Sequence, residues 1–185
     1  MHLEPTDFDL VQTALKGDAA SFGELVRRFQ TGILRFFLLH HRLDDAQDLT
    51  QETFLAAWKS LRTYNPKWKF STWILAIAHQ QNALFFRNLN HSIRPKVVDP
   101  GEDFQMDIME QPIDHAEFKE LEDAENAENL WNRIRQNLPK DQAEVLWFFY
   151  VEEKSQQEIA QITDRSVSGV KSILFRAREA LRKIL

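Results

Sequence analysis

The chain has 185 residues, 43% hydrophobic and 28% charged, with 5 glycines and no cysteine. That length suits one medium domain or two small ones, and the apolar share excludes a globally disordered chain. The lack of cysteine excludes a disulfide scaffold, thiolate metal sites and thiol catalysis, and suits a reducing cytoplasm.

The longest apolar run, Val145–Val151, is seven residues, far short of the roughly 18 that a membrane helix needs. The acidic start, Met1–Leu10, lacks the basic-then-apolar order of a secretory signal. The net charge of −5 is unevenly spread. Residues 1–95 carry 11 Lys/Arg against 9 Asp/Glu, residues 96–125 carry 2 against 11, and residues 126–185 carry 10 against 8. From Arg165 to Leu185 there are six basic residues and one acidic. A basic tip behind an acidic connector keeps a nucleic-acid partner open despite the net charge.

In chain order, Phe22, Leu25, Val26, Phe29, Ile33, Phe36, Phe37 and Leu38 recur at three and four, the helical period. Asp18 or Ser21 is a candidate cap for that helix, and Asp44 or Asp45 for the next, which runs to about Leu61. On this second helix Asp48, Gln51, Glu52, Leu55 and Lys59 share one face, while Leu49, Thr53, Ala57 and Leu61 can pack inward. Phe54 and Trp58 read as core. The polar stripe is either a solvated side or a docking surface.

Pro66 interrupts the chain. Around it stand Tyr64, Trp68, Phe70 and Trp73, with Lys67 and Lys69 between. Aromatics interleaved with cations can stack on unpaired bases and hold phosphates. A compact aromatic core is the other reading, favoured for Phe70 and Trp73, and Trp68 is the better candidate for exposure. A helix is expected from about Ser71 to Arg87. Residues 96–125 read as an acidic linker, with Pro100, Gly101 and Pro112 and mutually repelling acids; the other reading is an acidic strip that mimics DNA and occupies a basic groove. The end of the segment, from about Asp114, could join the helix that follows.

Beyond it, Ser155-Gln156-Gln157-Glu158 has the form of a capping box. A short helix, a Thr163-Asp164-Arg165 break and a longer helix follow, with Ser166 as the next cap. Asp tolerates the left-handed conformation such a turn wants. Val167, Val170, Leu174, Ala177 and Leu181 form an inward stripe, with Arg165, Ser168, Lys171, Ser172, Phe175 and Arg176 off it. This is helix-turn-helix geometry, whose second helix enters the major groove. DNA binding is favoured over an ordinary basic surface helix. The expected fold is all-α: two small helical domains, residues 1–95 and 126–185, joined by the linker.

At these residues the chain resembles a known family. Leu138–Leu181, beginning LPKDQAEVLWFFY, looks like region 4 of bacterial sigma factors of the sigma-70 family. DDAQDLTQETFLAAWKSL looks like their region 2 core-binding helix, and YNPKWKFSTWILAIAHQQ follows at the spacing of the promoter-melting segment. Holding regions 2 and 4 alone, the chain resembles the extracytoplasmic-function (ECF) class. The resemblance implies that Asp48-Leu49-Thr50-Gln51-Glu52, with Leu55 and Lys59, docks on the β′ clamp of core RNA polymerase, with the β flap as a further polymerase contact. It implies that Lys67, Trp68, Lys69, Ser71, Thr72, Ala76, His79, Gln80 and Arg87 face the melted minus-ten strand, with Asn82 near them. It places Arg165, Ser166, Ser168, Gly169, Lys171, Ser172, Phe175 and Arg176 at the minus-thirty-five duplex. An anti-sigma factor is the implied regulator, for which Leu55 and Phe175 are exposed apolar candidates.

The chain departs from the family at Ala76, His79 and Ile173, where Arg is common, and at Asp164, where Gly is usual. Gly169 inside a helix costs about 1 kcal/mol relative to Ala. His40, His41, His79 and His91 make no metal spacing, and no catalytic triad or phosphate loop is present. No cofactor, enzyme activity or membrane insertion is expected. The rival readings are a stand-alone helix-turn-helix repressor and a sigma-like interaction protein without promoter activity.

Overall fold

A computed structural model of the chain describes residues 4–89, 118–119 and 127–184. The chain divides into two units, Met1–Pro95 and Lys96–Leu185. Among the described residues every regular element is helical. No described helix is long and apolar enough to cross a membrane.

The first unit holds α1 (Asp7–Leu15), α2 (Ala19–Leu38), α3 (Leu43–Ser60), a 3-10 turn over Leu61–Thr63, and α4 (Phe70–Leu89). α1 has no counterpart among the expected helices, although its start signal is plain. Thr6 and Asp9 form a capping box, the Asp9 N–H donating to Thr6 Oγ1 at 3.2 Å and the Thr6 N–H to Asp9 Oδ2 at 3.0 Å. Leu10, Val11 and Ala14 then turn inward. Of the two candidate caps for α2, Asp18 fills the role, accepting from the Ala20 N–H at 3.0 Å, while the Ser21 hydroxyl donates to the Asp18 carboxylate.

Neither Asp44 nor Asp45 caps α3. Arg42 occupies that position without a side-chain bond, and both acids lie in the first turn. There their charge still suits the positive helix end. The core gathers Leu25, Ile33, Phe36 and Phe37 of α2, Leu49, Phe54 and Ala57 of α3, and Phe70, Ile74, Leu75 and Ala78 of α4.

The second unit holds α5 (Ala127–Asn137), α6 (Lys140–Tyr150), α7 (Gln156–Thr163) and α8 (Val167–Ile184). α6 is nearly engulfed: Ala143, Val145, Leu146, Trp147, Phe148 and Tyr150 are all buried. α8 seals it with Val170, Ile173, Leu174, Ala177 and Leu181. Two details correct the expected stripe. Val167 is 38% exposed, because it opens the helix, and Ile173 is fully buried. Ile173 lies three residues from Val170 and four from Ala177, on the same face.

Most of residues 96–125, read as linker, lie outside the described residues. Phe118 is described, and it is core: 2% exposed, its ring stacked on Tyr150 at 4.1 Å and 8°, and 6.0 Å from Trp131. Arg178 Nε in turn donates to the Tyr150 hydroxyl at 2.9 Å.

Candidate functional site

α3 is two-faced. Asp48, Gln51, Glu52, Leu55 and Lys59 are all exposed, while Leu49, Thr53 and Ala57 are buried, as is Leu61 just beyond the helix. Leu55, at 59% exposure, is an apolar side chain standing in water. Phe54 is core, as expected, but Trp58 is not: it is 41% exposed, its ring tilted against Phe22 at 4.9 Å. Trp58 follows Leu55 by three residues and shares the outer edge of the helix. With Phe22, Val26, Phe54, Leu55 and Gln51 it lines an apolar groove of about 490 Å³ between α2 and α3. Val26 belongs to the α2 periodicity, and a groove wall donated by a second helix has no signal in the spacing of α3.

The loop between the 3-10 turn and α4 is tied at several points. The Lys67 N–H donates to Asn65 Oδ1 at 3.0 Å, and the Trp68 N–H to the Asn65 carbonyl at 3.1 Å. The Tyr64 hydroxyl donates to the Trp68 carbonyl at 2.8 Å. Lys67 and Lys69 are exposed, Trp68 is half-buried, and Lys67 Nζ lies 5.8 Å from the Trp68 ring centre. Phe70 is core and Trp73 half-buried.

Along α4 the expected residues separate. Gln80 and Arg87 are exposed, and Ser71, Ala76 and His79 half-buried. Thr72 is fully buried, so its hydroxyl is withdrawn from any strand lying on the surface. Asn82 is likewise buried, with its Oδ1 2.6 Å from His41 Nε2 of the α2–α3 connection. His41 stacks on Phe86 at 5.0 Å, so the end of this helix is braced by aromatic contact.

The helix-turn-helix is built as its sequence predicts. The Ser155 N–H donates to Glu158 Oε2 at 3.0 Å and the Glu158 N–H to Ser155 Oγ at 3.2 Å. Asp164 takes φ 51° and ψ 46°, the left-handed conformation. Ser166 Oγ accepts from the Gly169 N–H at 3.1 Å and caps α8. A Cβ on Gly169 would stand 3.2 Å from that Oγ, so glycine makes room for the cap.

Arg165, Ser166, Ser168 and Lys171 are exposed at the start of α8 and Arg176 is exposed at its middle, while Gly169 and Ser172 are half-buried. Phe175, expected outside, is also half-buried. Arg165 faces Asp141 of α6 at 3.8 Å. The positive end of the helix with Arg and Lys beside it suits phosphate. Short hydroxyls among them allow close approach to base edges. Among the described residues no cluster of His, Asp or Glu is placed to hold a metal ion.

Residues 24–90 match the family model of sigma-70 region 2, and residues 132–181 that of sigma-70 region 4. Over its whole length the chain is 30% identical to the RNA polymerase sigma-H factor of Pseudomonas aeruginosa, spanning 96% of that protein. It is 30% identical to the ECF RNA polymerase sigma-E factor of Escherichia coli K12, over 95% of this chain and 92% of the relative. The chain belongs to the sigma-70 family of RNA polymerase sigma factors, in the ECF class.

Two solved structures share its fold. CnrH, in complex with the cytosolic domain of CnrY, superposes with a TM-score of 0.62 at 24% identity, over 94% of this chain and 93% of that one. RpoE of Bartonella quintana, in complex with the anti-sigma factor NepR, gives 0.65 at 18%, over 88% and 95%. Region 2 of this sigma factor therefore spans α2 to α4, and region 4 lies within α5 to α8. α1 precedes the region 2 match.

Proposed function

We propose that this sigma factor carries core RNA polymerase to promoters through three surfaces. The exposed α3 face of Asp48, Gln51, Glu52, Leu55 and Lys59 meets the β′ clamp, and region 4 meets the β flap. Carboxylate and amide acceptors on that face suit an arginine-rich partner helix. Leu55, Trp58 and the groove beside them add apolar burial. The observation that carries the proposal is this face: five polymerase-facing candidates, all exposed, beside an open apolar groove.

The other two surfaces meet DNA. Lys67, Trp68 and Lys69, with the exposed positions of α4, receive the melted minus-ten strand. Extruding a base costs a few kcal/mol, and stacking on an aromatic ring returns about 1–3 kcal/mol. A small domain can therefore hold open a bubble that the polymerase already favours. The first half of α8, from Arg165 to Arg176, reads the minus-thirty-five duplex. Two weak DNA sites on one chain gain through effective concentration.

Regulation by an anti-sigma factor is part of the same proposal, supported by the complexed state of the Bartonella quintana relative. An anti-sigma factor would cover the α3 groove and compete with the clamp. Size-exclusion chromatography with the product of the neighbouring gene checks this, a stable complex being the expected result.

The deciding test is titration of labelled protein with core RNA polymerase, followed by anisotropy. Tight binding is expected, and Glu52→Arg should abolish it without changing the helical content. Unchanged affinity in Glu52→Arg would remove the clamp assignment.

A further inference from the structure

We propose that Tyr64 is a positioning residue for promoter melting, its hydroxyl holding the loop so that Trp68 is ready to receive an unpaired base. This rests on the reading that the Lys67–Lys69 loop meets the melted strand. Both backbone polar groups of Trp68 are engaged. Its N–H donates to the Asn65 carbonyl at 3.1 Å, and its carbonyl accepts from the Tyr64 hydroxyl at 2.8 Å. That fixes the peptide planes on either side of Trp68, and the indole then chooses among few rotamers.

Tyr64 is itself anchored. Its ring meets Phe70 edge-on at 5.8 Å and Trp73 at 5.6 Å, and Phe70 is 1% exposed. Burial raises the pKa of the phenol above its ordinary value of 10.0, and the nearby Asp7 charge adds to the rise. The hydroxyl thus stays a donor throughout the working pH range. A loop held in its receiving shape before the base arrives is spared the ordering cost on binding. The half-buried Trp68, with Lys67 Nζ 5.8 Å from its ring, presents aromatic surface and charge together.

The test uses holoenzyme assembled from the full chain and core RNA polymerase. The probe is a single-stranded oligonucleotide selected from a random pool with the wild-type holoenzyme. Tyr64→Phe keeps the ring contacts and removes one hydrogen bond. It should weaken oligonucleotide binding about two- to tenfold, with core affinity unchanged and the thermal midpoint lowered by no more than the few degrees that one lost hydrogen bond costs. Trp68→Ala should weaken it further, and the double variant should bind no worse than Trp68→Ala alone, since Tyr64 acts only through Trp68.

Tyr64→Phe binding like wild type while Trp68→Ala is weakened would overturn the proposal and leave the loop reading standing. Additive losses would also overturn it, because Tyr64 would then act on its own. Weaker core binding in Tyr64→Phe, or a midpoint lowered so far that the chain is partly unfolded at the assay temperature, would make the role merely structural. Wild-type binding by Trp68→Ala would remove the loop reading and the proposal together.

Discussion

Ser166 and Gly169 show how closely two neighbouring positions constrain each other. Ser166→Ala removes the α8 cap and should cost about 1 kcal/mol in denaturant unfolding. Gly169→Ala gains about 1 kcal/mol of helix propensity but crowds the Ser166 Oγ at 3.2 Å. The gain should therefore be small in the wild-type chain and fuller once Ser166 is Ala, which a double-mutant cycle would show.

Three surface carboxylates in the first unit set an acid limit. The Thr6 hydroxyl holds Asp9, and the Ser21 hydroxyl holds Asp18, below the ordinary 3.8. The Arg27 guanidinium, followed by Arg28, holds Glu24 below 4.5. Each is a group whose folded pKa is depressed, so its contribution is present above the ordinary value and lost as pH falls through the folded one. The contribution of these three groups should be constant above about pH 5 and shrink below about pH 4. Asp9→Asn with Asp18→Asn should make that loss shallower, measured by thermal unfolding across pH.

At the scale of elements, what could be read depended on where the signal lies. The α3 stripe, the Ser155–Glu158 box, the left-handed Asp164 and the Ser166 cap are short-range patterns, and each is found where its spacing places it. Misjudged positions depended on a neighbouring helix. Trp58 is expected in the core, yet its contact with Phe22 of α2 leaves it 41% exposed. Ile173 seemed a lost arginine, yet it faces the core of the second unit. Thr72 seemed to line a DNA surface, yet it packs inward in the first turn of α4. α1 is the exception, since its Thr6–Asp9 box was there to be read.

Phe118, placed in the acidic stretch by composition, is a core ring of the second unit. Phe118→Ala should cost that unit about 3 kcal/mol, seen as an early transition in denaturant. On α8, Lys171→Ala with Arg176→Ala should weaken promoter-directed transcription and spare core binding. If each contacts phosphate, the double variant should also lower the salt slope of promoter binding by about 2.

At the scale of the molecule, the −5 net charge belongs to a chain whose last 21 residues, from Arg165, carry six basic groups and one acid. The isolated chain should bind promoter duplex weakly, gaining affinity and specificity only with core polymerase. Electrophoretic mobility shifts with and without core measure the difference. The α3 groove has a colloidal consequence as well. Leu55 and Trp58 keep two-fifths or more of their surface in water, at 59% and 41%. Apolar side chains gathered in that way invite whatever hydrophobic surface diffuses past. The chain spared of all company is then least at ease when concentrated. The same hollow that would recruit a polymerase makes solitude at high dose a route to clumping.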